Sequence, residues 1–127
     1  MKEYANSTHD KTTRIRKRLS ERREAHRKAL LDELDRITSK AVDAGATKIV
    51  LFGSLLHREP DLHSDLDLLI VWNTELGFID RVKEIYRILQ PRVPADLLVY
   101  TPQEMERMQH TPFIREALVE GRILYEA

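Results

Sequence analysis

Two aspartates one residue apart open an otherwise apolar run, Asp65-Leu66-Asp67 followed by Leu68-Leu69-Ile70-Val71-Trp72. In a strand alternate side chains share a face, so Asp65 and Asp67 would stand together with Leu66 opposed to them. Two carboxylates that close repel each other unless a cation lies between them. Hard oxygen donors of this kind suit Mg²⁺, which takes one or two carboxylates together with substrate phosphate oxygens. The plainer alternative is a solvated pair at the start of a strand, with Ser64 or Asp65 bonding the turn. A third acid, Asp96, stands near the head of Ala95–Tyr100. If that segment pairs with Asp65–Trp72, three acids converge and could place two metals, or one metal and a base. Upstream, Gly53-Ser54 ends the run Lys48–Phe52. A strand-to-helix junction of this type exposes backbone N–H groups able to hold a phosphate. Taken alone, the same dipeptide is also a common turn.

The elements that must position these residues can be read from periodicity and punctuation. Met1 to about Asp10 reads as a frayed polar start, and Thr12 to Ala44 has no Gly or Pro. That stretch predicts either one long helix or two with a break near Ser20. In its second half Leu30, Leu31, Leu34, Ile37, Ala41 and Val42 recur at three- and four-residue spacing, an amphipathic stripe that Gly45 can stop. Lys48–Phe52 and Asp65–Trp72 read as buried strands, the second covered on both faces. Leu55–Arg58 could form a single helical turn before a loop over Pro60–Ser64. Phe78, Val82, Ile85, Tyr86 and Leu89 mark a helix, and Ala95–Tyr100 a third strand. Thr101-Pro102-Gln103-Glu104 has the composition of a capped helix start. Thr111-Pro112 repeats the signal for a helix over Phe113–Glu120, which Gly121 can close. Arg122–Tyr125 is expected as a short extended tail, and Tyr86, Tyr100 and Phe113 as core or half-core residues.

Composition narrows the class. The chain has 127 residues, 42% of them hydrophobic, which fits one domain with a real core. It contains no cysteine, so disulfide frameworks and thiolate metal sites are excluded. No apolar run approaches the length of a membrane span, and no secretory segment stands at the start, so a cytoplasmic protein without membrane contact is expected. Lys and Arg together number 21, as do Asp and Glu, for a net charge of zero. The balance is uneven: residues 1–28 carry +6 and residues 29–127 carry −6. The expected organisation is a basic, helical extension over 1–28 and an α/β domain over 29–127. A basic helix invites a nucleic-acid reading, but Lys11–Lys28 has no aromatic residue for base stacking. Packing on a partner or on a second copy as a homodimer is the stronger expectation. The five histidines have no metal-ligand spacing.

The order Gly-Ser, ten residues, Asp-x-Asp and a later Asp reads here as LFGSLLHREPDLHSDLDLLIVW followed by VPADLLVYTPQEMER and FIREALVEGRILYE. It closely resembles the signature of the DNA polymerase beta-like nucleotidyltransferase superfamily, in its minimal nucleotidyltransferase (MNT) branch, over about Leu30 to Glu126. The resemblance implies an α+β nucleotidyltransferase fold, a small mixed sheet flanked by helices. It implies transfer of a nucleoside monophosphate from an NTP, most often ATP, to an acceptor hydroxyl. Gly53 and Ser54 would hold the β- and γ-phosphates, with Arg58 supplying charge nearby. Asp65 and Asp67 would bind Mg²⁺ on the triphosphate, while Asp96 would help hold a second metal or act as base. It further implies a HEPN-domain ribonuclease toxin as partner, with this chain as the antitoxin that adenylylates a toxin tyrosine. One departure stands out. Many members follow Gly-Ser with Arg-x-Arg-Gly, where this chain has Leu55-Leu56-His57-Arg58. An antitoxin acting by binding alone, or a small-molecule nucleotidyltransferase, are the competing readings.

Overall fold

The computed structural model describes residues 2–53 and 66–127. Ser54, Arg58, Asp65 and the expected turn and loop between Gly53 and Leu66 lie outside the described residues.

A single helix, α1, runs over Lys2–Asp43 without a break at Ser20. It begins earlier than the polar composition of the first ten residues suggested, because nothing between Lys2 and Asp43 is Gly or Pro. Its second half packs as the stripe predicts: Leu30, Leu34, Ile37 and Ala41 are buried, while Leu31 faces outward. Past Gly45 the chain enters β1 (Ala46–Phe52). Strand β2 (Leu66–Trp72), helix α2 (Phe78–Leu89) and strand β3 (Ala95–Tyr100) follow. The order closes with helices α3 (Pro102–Met108) and α4 (Pro112–Glu120) and strand β4 (Arg122–Glu126).

Among the described residues the strands form one sheet in the order β3-β2-β1-β4. β1 is antiparallel to β2 and to β4, whereas β2 and β3 run parallel, joined by the crossover helix α2. The mixed sheet of an α+β nucleotidyltransferase fold is therefore present. The expected extended tail is a sheet strand, because the outer edge of β1 offers it backbone partners from Lys48↔Glu126 to Leu51↔Arg122.

Both faces of the sheet are covered. On one, Ile49, Leu51, Leu66, Leu68, Ile70, Leu97 and Val99 pack under α1 and α2. On the other, Val50, Leu69 and Val71 pack under Met105 of α3 and Ile114 of α4. This double cover is why β2 is apolar beyond its first residues.

Two polar clamps fix the helices. Arg36 of α1 donates to the carbonyls of Leu89 and Gln90 at 3.0 and 2.9 Å, closing the end of α2, and also to Glu33. Glu33 in turn accepts from the Arg92 backbone N–H. The Arg36 bond, more than any other contact, holds the Glu33 carboxyl below its ordinary value. Arg81, 6% exposed, donates to the carbonyls of Leu76 and Val99 and pairs with Glu104. Thr101 and Glu104 form the expected capping box. The Thr101 N–H bond is the largest of the contacts that lower the Glu104 carboxyl.

The second cap signal works differently. The Thr111 hydroxyl donates back to the Met108 carbonyl at 2.7 Å, and no side-chain cap bond is made at α4. The tight link between α3 and α4 turns that hydroxyl toward the preceding helix. Gly121 does follow α4, but for want of space: a Cβ there would lie 2.2 Å from the Ala117 carbonyl oxygen and 2.6 Å from Val50.

Candidate active site

Three chain segments meet at one end of the sheet: the end of β1 and the starts of β2 and β3. In the antiparallel ladder Phe52 lies opposite Asp67. In the parallel ladder Asp67 lies opposite Asp96. Residues directly paired across strands project to the same face, so the two carboxylates stand side by side, on strands about 4.8 Å apart. Their face is the one that carries Leu69, Val71, Leu98 and Tyr100 under α3 and α4. Among the described residues the helical cover runs out at this end, where Asp67 is half-buried and Asp96 exposed.

Gly53 is held against Asp67. Its φ of +79° is a left-handed conformation that side chains disfavour. A Cβ at this position would come within 2.0 Å of Asp67 Oδ2 and 2.8 Å of its Cγ. The glycine therefore does two things at once: it turns the chain out of β1 and leaves room for the Asp67 carboxylate beside the turn. Both conditions favour glycine over any residue that carries a side chain.

The sequence-derived site thus divides. Gly53, Asp67 and Asp96 are brought together. Ser54, Arg58 and Asp65 lie outside the described residues, so their placement rests on strand alternation and the motif alone. Among the described residues no group of three or more His, Asp or Glu could hold a metal. What is present is a pair. Asp96 has no ion-pair partner among the described residues. The donor set fits a divalent cation: two carboxylates in direct register on adjacent strands at the edge of solvent, one of them seated in the space that the absent Gly53 side chain leaves. Asp67 and Asp96 are the described residues able to hold Mg²⁺.

Sequence reasoning missed what lies beside Gly53. An open cleft of about 700 Å³ begins at Phe52 and Gly53 and runs along α4, lined by Phe113, Glu116, Ala117, Glu120 and Gly121. Phe113 was expected in the core or half in it. It is 55% exposed, its ring meeting Phe52 edge-on at 5.9 Å between centroids. Spacing does hold a signal for this: residues 113, 116, 117 and 120 share one side of a helix. Nothing local shows that this side borders the turn after β1.

No helix among the described residues is long and apolar enough to cross a membrane. No curated protein sequence and no solved structure matches the chain. A family model described as a nucleotidyltransferase domain matches residues 27–125, a span that holds the sheet except its last residue, the buried second half of α1, helices α2 to α4 and every candidate site residue. Its first residues fall where α1 is about to be buried at Leu30. By that match, and with the paired aspartates beside a left-handed glycine, this chain belongs to the nucleotidyltransferase domain family of the polymerase beta-like superfamily.

Proposed function

We propose that this chain transfers a nucleoside monophosphate, AMP from ATP, to a tyrosine hydroxyl of a HEPN-domain toxin and so acts as its antitoxin. The observation that carries the transfer chemistry is the direct register of Asp67 with Asp96 against Gly53. Acceptor and partner rest on the resemblance to the MNT branch.

In this reading the acceptor oxygen attacks the α-phosphorus, a new P–O bond forms, and the bond to pyrophosphate breaks. Asp96, exposed at the rim, takes up or directs the acceptor proton. Asp67, half-buried between Gly53 and Asp96, holds the carboxylate edge facing the triphosphate. The turn at Gly53 lets phosphate oxygens approach the backbone, as Ser54 and Arg58 would from the following residues. Bound Mg²⁺ would neutralise charge on the attacking and leaving oxygens, and Asp65 would join Asp67 and Asp96 in holding it.

The test mixes protein, Mg²⁺ and α-labelled ATP with the product of the adjacent gene. Label on a tyrosine of that product, lost in Asp67→Asn and Asp96→Asn, supports the proposal. Absence of label on any acceptor would sink it. The departure at Leu55-Leu56-His57-Arg58 favours one rival, neutralisation by contact alone. Under that reading the aspartate variants still silence the partner.

A further inference from the structure

The first half of α1 is a helix that extends beyond the cover given by the described residues of the body. Residues 10–29 span about 30 Å at the rise of an α-helix. All of them are exposed except His26, which is half-buried. Burial begins abruptly at Leu30, 1% exposed, and continues through Glu33, Ile37 and Ala41. At 100° per residue Ile15, Leu19 and His26 fall on the same side of the helix as Leu30, Glu33 and Ile37. The core-facing stripe therefore runs on past the end of the body, where Ile15 and Leu19 are 58% and 46% exposed. Most helical stability in proteins comes from packing such a stripe. Here the stripe lacks a covering surface within the described residues of its own chain.

Charge indicates what covers it. Residues 1–28 carry +6, residues 29–127 carry −6, and the chain sums to zero. No Lys or Arg between residues 11 and 28 makes an ion pair among the described residues. Two such arms repel one another, so they do not pair as a coiled coil. An arm and the body of another copy attract, and the match is reciprocal, as closed two-fold symmetry requires. Single-stranded nucleic acid is the other polyanion to consider, but the arm between Lys11 and Lys28 offers bases no aromatic side chain.

We propose that this arm docks on a second copy of the chain, its Ile15 and Leu19 face lying on the partner's acidic body and each copy clasping the other. This inference does not depend on the activity proposed above.

The full chain is tested by sedimentation at two salt concentrations, with crosslinking to locate the arm. The chain has no cysteine, so Ser20→Cys, away from the apolar stripe, carries a single photocrosslinker. Unlabelled chains bearing it are mixed with ¹⁵N-labelled ones. The expected result is a dimer whose dissociation constant rises at least about tenfold from about 0.05 M to about 0.5 M salt, as screening shortens the reach of charge. Crosslinks should join residue 20 to residues 29–127 of the other copy. The triple variant Arg16→Glu, Arg22→Glu, Arg23→Glu should sediment as a folded monomer, and the matching Arg→Lys triple should remain dimeric. A monomer at low salt, crosslinks from arm to arm, or a dimer indifferent to charge reversal would each overturn the proposal. A monomer that retains RNA through the arm would also overturn it and assign the arm to nucleic acid.

Discussion

The two faces of β2 share one backbone and carry opposite kinds of residue at their first turn of register. Leu66, Leu68 and Ile70 face α1 and α2 and are fully buried. Asp67, Leu69 and Val71 face α3 and α4, and only the last two are covered. The first face is uniform because α1 and α2 together cover it from Leu66 onward. The second is apolar where short helices cover it and carboxylic where they stop. Among the described residues the candidate site is thus the uncovered end of a core layer, held in place by the covered end and by the opposite face.

That contrast can be broken from either side. The largest effect is expected at the carboxylates. Asp67→Asn should lower nucleotide transfer about 10³-fold, a scale typical of removing one electrostatic contact to the reacting phosphate. Stability should stay within about 0.5 kcal/mol, because a half-exposed acid carries little of the fold. Initial rates with labelled ATP and a denaturant titration on the same preparation separate the two quantities. Leu68→Ala, one residue along and on the other face, should do the reverse. It should cost about 3 kcal/mol of stability by leaving a cavity, with the specific activity of the folded fraction retained.

Gly53→Ala lies between these. The left-handed φ alone disfavours a side chain by about 1–2 kcal/mol, and the new Cβ must displace the Asp67 carboxylate. A shift of a catalytic group by about 1 Å is enough for a loss of about 10²-fold. The expected signature is an activity loss larger than the stability loss explains, with weakened Mg²⁺ dependence. A variant that keeps full activity would show that the carboxylate does not need this space.

The smallest effect concerns the polar contacts under the second face. The Glu104 carboxyl is lowered from its ordinary value by the Thr101 backbone N–H and by Arg81, and burial opposes them. A group whose folded value is depressed contributes stability that is present above its unfolded value and lost as pH falls through the folded one. Glu33, lowered chiefly by Arg36, acts in the same direction. Melting temperature should therefore fall as pH drops below the usual glutamate range, and Glu104→Gln should flatten that slope while lowering stability at neutral pH by about 1 kcal/mol. Thermal melts across the acid range measure both, and an unchanged slope would remove Glu104 from the account.

Much of the fold was legible in advance. Period-two alternation placed Asp67 on the face opposite Leu66, and the capping box at Thr101 and Glu104 formed as written. Three readings needed more than local pattern. Whether the region around Ser20 breaks depends on competing small propensities, and the chain keeps a single helix. Arg122–Glu126 became a strand only because β1 leaves an edge for it. Phe113 looked like core by residue type, yet α4 meets the sheet through Ile114 and Ala117, and the phenyl ring lines the cleft instead.

By itself, the sequence determined the helices, the strand parity, the glycine turn and the uneven charge, because each follows from spacing along a few neighbouring residues. It therefore determined which groups were available for chemistry. Tertiary structure alone decided that Asp67 and Asp96 are neighbours, since parallel register across a crossover helix is a non-local choice settled by how α2 packs. It also decided that Gly53 lies against Asp67, that Phe113 borders the cleft, and that among the described residues α1 is covered only from Leu30 onward. The difference is physical: propensity and periodicity act within a turn or a strand, whereas a site needs segments far apart in the chain to share one edge of a sheet.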